Sequence, residues 1–192
     1  MKQKAFALCG IFAVALYVAA VIIGGIVTPG YSHIANAVSE LIASGAPAKA
    51  VLDSLFIGYN LLLVAFAAGF WKGAGGKGQK AARLAAIFIW VAGILGVLMA
   101  QPFPMDQRNT PATFAGIMHI AAAGLCFLST MLAVLFAGIS FGKAPEGRSY
   151  AFYSYITLAI IFVTGGLAAA SAGMGSALMG FAERATIGAF LQ

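Results

Sequence analysis

The stretch KQKAFALCGIFAVALYVAAVIIGGIVTPG, residues 2–30, decides the fold. Lys2 and Lys4 precede an apolar run, Ala5–Thr28, that holds no charged residue and stops at Pro29-Gly30. A signal-peptide core is ~7–15 residues long, so this run is too long for one. It reaches the roughly 20 residues that an α-helix needs to cross a bilayer, and it reads as an uncleaved first span. Proline resists helix continuation and glycine accepts left-handed dihedrals, which explains the stop.

Four further runs are long enough to span: Val51–Trp71, Leu84–Ala100, Thr113–Phe141 and Phe152–Ala172. A shorter one covers 178–192. Breaks fall at Gly73–Gly76, Pro102–Pro104, Pro145–Gly147 and Gly173–Gly175, where glycine and proline punctuate the apolar text. The expectation is an all-α bundle of about six transmembrane helices, one integral membrane domain over residues 1–192. With 62% hydrophobic and 8% charged residues, the chain excludes the soluble globular class. The 24 glycines suit close helix packing, and Gly24-Gly25, Gly93/Gly96 and Gly165-Gly166 are the expected contact points. Cys9 and Cys126 both sit inside apolar runs, which argues against a disulfide or a zinc cluster built on cysteine.

The net charge of +6 is a topology signal, not a nucleic-acid footprint, because the basic residues lie between the runs. With the N-terminus in the cytoplasm, Lys2, Lys4, Lys72, Lys77, Lys80, Arg83, Lys143 and Arg148 are inside. Only Lys49, Arg108 and Arg184 are outside. The positive-inside rule favours that orientation. Glu40, Asp53, Asp106 and Glu183, with both histidines, then gather toward the outer side. Lys49 lies four residues before Asp53 and reads as a simple surface pair.

Three segments carry the candidate chemistry. In 31–44, His33, Asn36 and Glu40 fall on one face at helical spacing, predicting a short amphipathic outer helix after the first span. In 102–119, two prolines fix the loop that carries Asp106 and Arg108. His119 follows two turns into an apolar run, where an ionisable group is costly and defaults to a functional reading. In 180–186, Glu183 and Arg184 are adjacent, point about 100° apart on a helix and need separate partners. Asp106 or Glu40 is the expected partner of Arg184, and Arg108 or a histidine that of Glu183. All six groups, His33, Glu40, Asp106, His119, Glu183 and Arg184, are expected to converge into one outer polar site.

The order Ser39-Glu-Leu41 with Gly45-Ala-Pro47, then Phe103-Pro-x-Asp106, then His119, then Gly180-x-x-Glu-Arg184 resembles bacterial and archaeal membrane proteins grouped as domain of unknown function 998. The resemblance spans nearly the whole chain. It implies the architecture, a place in a bacterial or archaeal cytoplasmic (inner) membrane, and the importance of the motif residues; Asn36 and Arg108 join Ser39, Glu183 and Arg184 as the expected polar network around the site. It implies no reaction.

Three functions fit these residues. The first is a metal-dependent membrane-embedded hydrolase acting on lipid at the outer leaflet. Its metal, a divalent ion such as zinc, would be held by His33, His119 and Asp106, with Glu40, Asp106 and His119 as catalytic groups. The second is a non-enzymatic accessory or binding subunit, with a homo-oligomer or a membrane partner protein docking on it. The third is a haem-binding electron-transfer protein with His33 and His119 as axial ligands.

Overall fold

The computed structural model describes residues 2–192 of the chain. It is all-helical. Six α-helices follow one another: α1 (Lys2–Val27), α2 (Lys49–Gly73), α3 (Gln79–Ala100), α4 (Phe114–Phe141), α5 (Arg148–Gly173) and α6 (Met179–Leu191). Among the described residues there is no strand. Five of the helices, α1 to α5, are long and apolar enough to cross a membrane, the pattern of a multi-pass membrane protein. The sixth expected span is a helix of only 13 residues. At a rise of 1.5 Å per residue it reaches about 20 Å, short of the ~30 Å hydrocarbon core.

Each helix packs against the next in sequence. The short links 74–78, 142–147 and 174–178 leave antiparallel neighbours as the simplest packing for the helices they join. One end of the bundle gathers residues 28–48, 101–113 and 174–178, and we call it the polar end. The other gathers 74–78 and 142–147, flanked by lysine and arginine, and we call it the basic end.

The helix ends follow local chemistry. Gly30 takes a left-handed φ of 72° directly after Pro29 and turns the chain off α1. Thr113 caps α4 by accepting the Gly116 N–H at 3.1 Å. Two apolar clusters fill the interior. Near the polar end, Val38, Leu41 and Ile42 from the first loop join Ala20 of α1, Leu52 and Phe56 of α2, and Ala100 of α3. Deeper in, Ala13, Tyr59, Leu63, Ala67, Ile89 and Ala133 draw on α1 to α4, with Phe190 and Leu191 of α6 packed against them.

The glycine contacts are as expected at most positions. A Cβ on Gly24 would meet Leu41, one on Gly96 the Asn60 amide, and one on Gly165 the Phe127 ring. Gly166 departs from the expectation. Nothing lies within 4 Å of where its Cβ would stand, so it faces outward from the bundle. Of two adjacent helical residues, about 100° apart, only one can face a given neighbour.

Candidate functional site at the polar end

The 31–48 segment is the centre of the polar end, and it is not an amphipathic α-helix. It forms a turn over 33–36 and a 3-10 helix over Val38–Ile42. Its own side chains explain why. Ser32 N–H donates to Asn36 Oδ1 at 2.9 Å, and Ile34 and Ala35 N–H groups reach Ser32 Oγ at 3.3 Å. Ala37 N–H donates to Glu40 Oε1 at 2.9 Å. Short polar side chains offer the backbone an alternative to the helical ladder, and here they take it. Leu41 is fully buried and Val38 and Ile42 nearly so, which seats the segment in the bundle mouth. Burying each such side chain is worth about 1.5–3 kcal/mol relative to water.

Two elements clamp this segment. The first is α6. Arg184 Nη1 donates to His33 O at 2.8 Å, Asn36 O at 2.9 Å and Gly180 O at 3.0 Å, and its Nη2 donates to Tyr31 Oη. Glu183 Oε2 accepts the Val38 N–H at 2.7 Å, and the Phe181 N–H donates to Ile34 O at 2.9 Å. Gly180 makes the approach possible, since a Cβ there would overlap Asn36 O. The expected partners are therefore not the ones found. Neither Arg184 nor Glu183 forms an ion pair with Asp106, Glu40, Arg108 or a histidine. Both grip main chain of the first loop.

The second clamp is the 101–113 loop. Arg108 Nη2 donates to Glu40 Oε1 at 2.9 Å and to Ala35 O at 3.3 Å. Asn36 Nδ2 meets the other Glu40 oxygen at 2.7 Å. Ser44 N–H donates to Met105 O at 2.9 Å, and Ser39 Oγ lies 2.9 Å from Met105 Sδ. The clamps differ in weight. The Arg108 side chain is 54% exposed, and an ion pair in water contributes about 0–1 kcal/mol. A hydrogen bond from a charged donor to a half-buried carbonyl, as from Arg184 to Asn36 O, contributes about 1.5–3 kcal/mol, so α6 holds the segment more strongly.

Asp106 and His119 sit beside this cap with partners of their own. Asp106 accepts the Thr113 N–H at 2.8 Å and the Thr113 hydroxyl at 2.7 Å. The backbone bond first, then the hydroxyl, holds its carboxyl below the ordinary aspartate range. Its carboxylate also lies flat against Gly116, where no Cβ would fit. Asp106 is thus an outer layer of the α4 cap. His119 is buried, with Nδ1 2.9 Å from Phe103 O. His33 is exposed, lies over Gly25 of α1 and meets the Tyr31 ring edge-on.

Among the described residues no three His, Cys, Asp or Glu side chains gather as a metal ion would need, so His33, His119 and Asp106 do not make the expected ligand set. The reason is local. Thr113 takes both Asp106 oxygens and Phe103 takes His119 Nδ1, while His33 rests on a different helix. As for the haem reading, the two histidines occupy different surroundings, one exposed and one buried.

Tyr31 was not among the expected site residues, yet it joins the clamp. Its hydroxyl donates to Ala37 O at 2.8 Å while accepting from Arg184. Burial pushes its phenol up to about 12 against the pull of Arg184, so it stays a neutral donor. Thr113 was also missed as a partner of Asp106, although a threonine directly before an apolar run is an N-cap signal.

Of the residues that carried the family resemblance, Ser39 and Glu40 lie within this loop and Gly180, Glu183 and Arg184 lie against it, while Asp106 and His119 bond elsewhere, to Thr113 and Phe103. Residues 11–191 match the family described as Protein of unknown function (DUF998). The chain belongs to that family. No curated protein and no solved structure matches it. In this DUF998 chain the matched region takes in five of the six helices entire and all but the first turns of α1.

Proposed function

We propose that the chain is a binding protein of the membrane, an accessory subunit and not an enzyme, whose rigid polar end takes a small anionic group. One observation carries this reading. Glu183 and Arg184 are turned onto the main chain of the 31–48 segment, whereas Arg108, 54% exposed and bonded to Glu40 and Ala35 through Nη2, keeps Nε and Nη1 with no acceptor among the described residues. Arg108 lines a cleft of about 180 Å³ with Thr28, Glu40, Gly45, Pro47 and Gln107. Drug-sized ligands occupy about 300–1,000 Å³, so a cleft of this size suits one phosphate-sized group. A guanidinium with free donors is the group that recognises phosphate. A phospholipid headgroup and free phosphate share that chemistry. On this reading the N-terminus is cytoplasmic and the cleft opens at the outer leaflet.

The purified chain in detergent is the material for the test. Thermal unfolding is followed with inorganic phosphate and with a short-chain phospholipid, for the parent and for Arg108→Gln. Stabilisation by the lipid alone assigns a headgroup, and stabilisation by both assigns phosphate. Equal stabilisation of parent and Arg108→Gln would overturn the proposal.

The hydrolase reading keeps one supporting observation, the Glu40 carboxylate in the same cleft. Lipid breakdown that is lost in Glu40→Gln, with stoichiometric zinc in the purified protein, would replace the binding reading. A haem absorption band would support the electron-transfer reading instead.

A further inference from the structure

At the basic end, α1, α2 and α4 enclose a groove of about 320 Å³ that the polar-end reading does not use. Its walls are Phe6 of α1, Phe66 and Phe70 of α2, and Phe141 of α4. Phe66 stacks on Phe70 at 6.3 Å, and Phe70 meets Phe141 edge-on at 6.4 Å, so one aromatic wall bridges two helices. Gly69 lies on the α1 side, where Phe6 rests directly against it. The rim is polar: Gln3, Ser140 and the main chain of Gly73–Gly75. Ser140 Oγ donates to Gly78 O at 3.1 Å and ties the 74–78 link to α4.

The charge at this end is predominantly basic, Glu146 being its one acid among the described residues. Lys72 Nζ stands 4.9 Å from the centroid of the Phe6 ring, which is a wall of the groove. Lys4, Lys72, Lys77, Lys80 and Arg83 are all exposed, and both ion pairs among the described residues lie elsewhere, at Lys49–Asp53 and Arg108–Glu40. A general excess of lysine at one end sets topology and needs no ligand. It does not account for an aromatic-walled groove directly beneath a lysine. That combination matches a molecule with a hydrocarbon tail and an anionic head, as basic pockets between transmembrane helices do for acidic lipids.

We infer that this groove is a binding site for one anionic phospholipid, its acyl chain against Phe6, Phe66, Phe70 and Phe141 and its phosphate beside Lys72. Lys72 and Lys77 set the preference for negative headgroups, and the aromatic wall sets the position of the chain. The site is separate from the Arg108 cleft and stands or falls without it.

The test is native mass spectrometry and thermal unfolding of the full chain in detergent. Phosphatidylglycerol and phosphatidylcholine with the same acyl chains are compared. The expected result is one retained phosphatidylglycerol per chain and a stabilisation that phosphatidylcholine does not give. Each charge removed in Lys72→Gln and Lys77→Gln should weaken retention about fivefold. Gly75→Trp supplies the steric arm. Gly75 has an extended backbone with φ −151° and open space around it, so the variant should fold while obstructing the rim. It should unfold at the parent temperature without lipid and lose the phosphatidylglycerol effect. Equal stabilisation by both lipids, undiminished retention in both lysine variants, or full retention in a folded Gly75→Trp would each overturn the proposal. A dimer that Gly75→Trp dissociates would also overturn it, by giving the groove to a second copy.

Discussion

Arg184 Nη1 donates to the carbonyl of Asn36, 148 residues earlier in the chain, at 2.9 Å. This bond joins the last helix to the first loop. With the bonds to His33, Gly180 and Tyr31 it makes one guanidinium the main fastener of the polar end. Planar donors in a fixed fork can reach several acceptors at once, which an ammonium on a flexible stem does less well. Arg184→Met should therefore destabilise the chain by roughly 2–5 kcal/mol, through main-chain acceptors left without a donor. Arg184→Lys should recover only part of that loss. Thermal unfolding in detergent checks both, and a parent-like Lys variant would show that charge alone holds the segment.

Gly180 and Gly166 should answer alanine in opposite ways. A Cβ at Gly180 overlaps Asn36 O, which is main chain and cannot swing aside. Gly180→Ala should push the 31–48 segment off α6 and cost about 1–3 kcal/mol. Gly166 has open space, so Gly166→Ala should be neutral or stabilising by up to about 1 kcal/mol from helix propensity. Unfolding midpoints of the two variants make the comparison, and a loss at Gly166 would mean that this face is covered.

Acid should loosen the α4 cap through Asp106. Its carboxyl is held below the ordinary range by the Thr113 bonds, so the unfolded chain takes up this proton at higher pH than the folded one. The stability it supplies is present above the unfolded aspartate value, near pH 4, and is lost as the pH falls through the folded value. Asp106→Asn removes that titration. The parent should lose more stability than Asp106→Asn as the pH drops below about 4, and parallel pH profiles would exclude Asp106 as the source.

Orientation can be read by labelling in intact cells. With the basic end cytoplasmic, a cysteine placed at Gly76 should resist a membrane-impermeant thiol reagent, and one at Asn109 should react. Cys9 and Cys126 are half-buried within helices, and replacing them first gives a clean background. The reverse labelling pattern would invert the bundle and carry the Arg108 cleft to the inner leaflet.

Asp106 and Arg184 show where the reading of this sequence stopped. The helices themselves were legible, because unbroken apolar runs such as 5–28 determine spans through local hydrophobicity and length alone. Their ends were legible too, since Pro29-Gly30 and Pro102–Pro104 act within one turn of chain. That Glu40, Arg108, Glu183 and Arg184 share one end followed from the alternation of the helices. Their partners did not follow. Side chains of the sequence suggested ion pairs, but Arg184 and Glu183 found carbonyls and an N–H of residues 33–38, groups that every residue carries and no sequence pattern marks. The 31–44 periodicity likewise predicted a helix, and local bonds from Ser32, Asn36 and Glu40 diverted it into a turn. Only tertiary packing decided that Val38, Leu41 and Ile42 would enter the mouth of the bundle. That placement brought α6 and the 101–113 loop within hydrogen-bond reach of the same few main-chain atoms. Hydrophobicity is summed along the chain and can be read there, whereas hydrogen-bond partners depend on which backbone atoms the folded chain brings within about 3 Å.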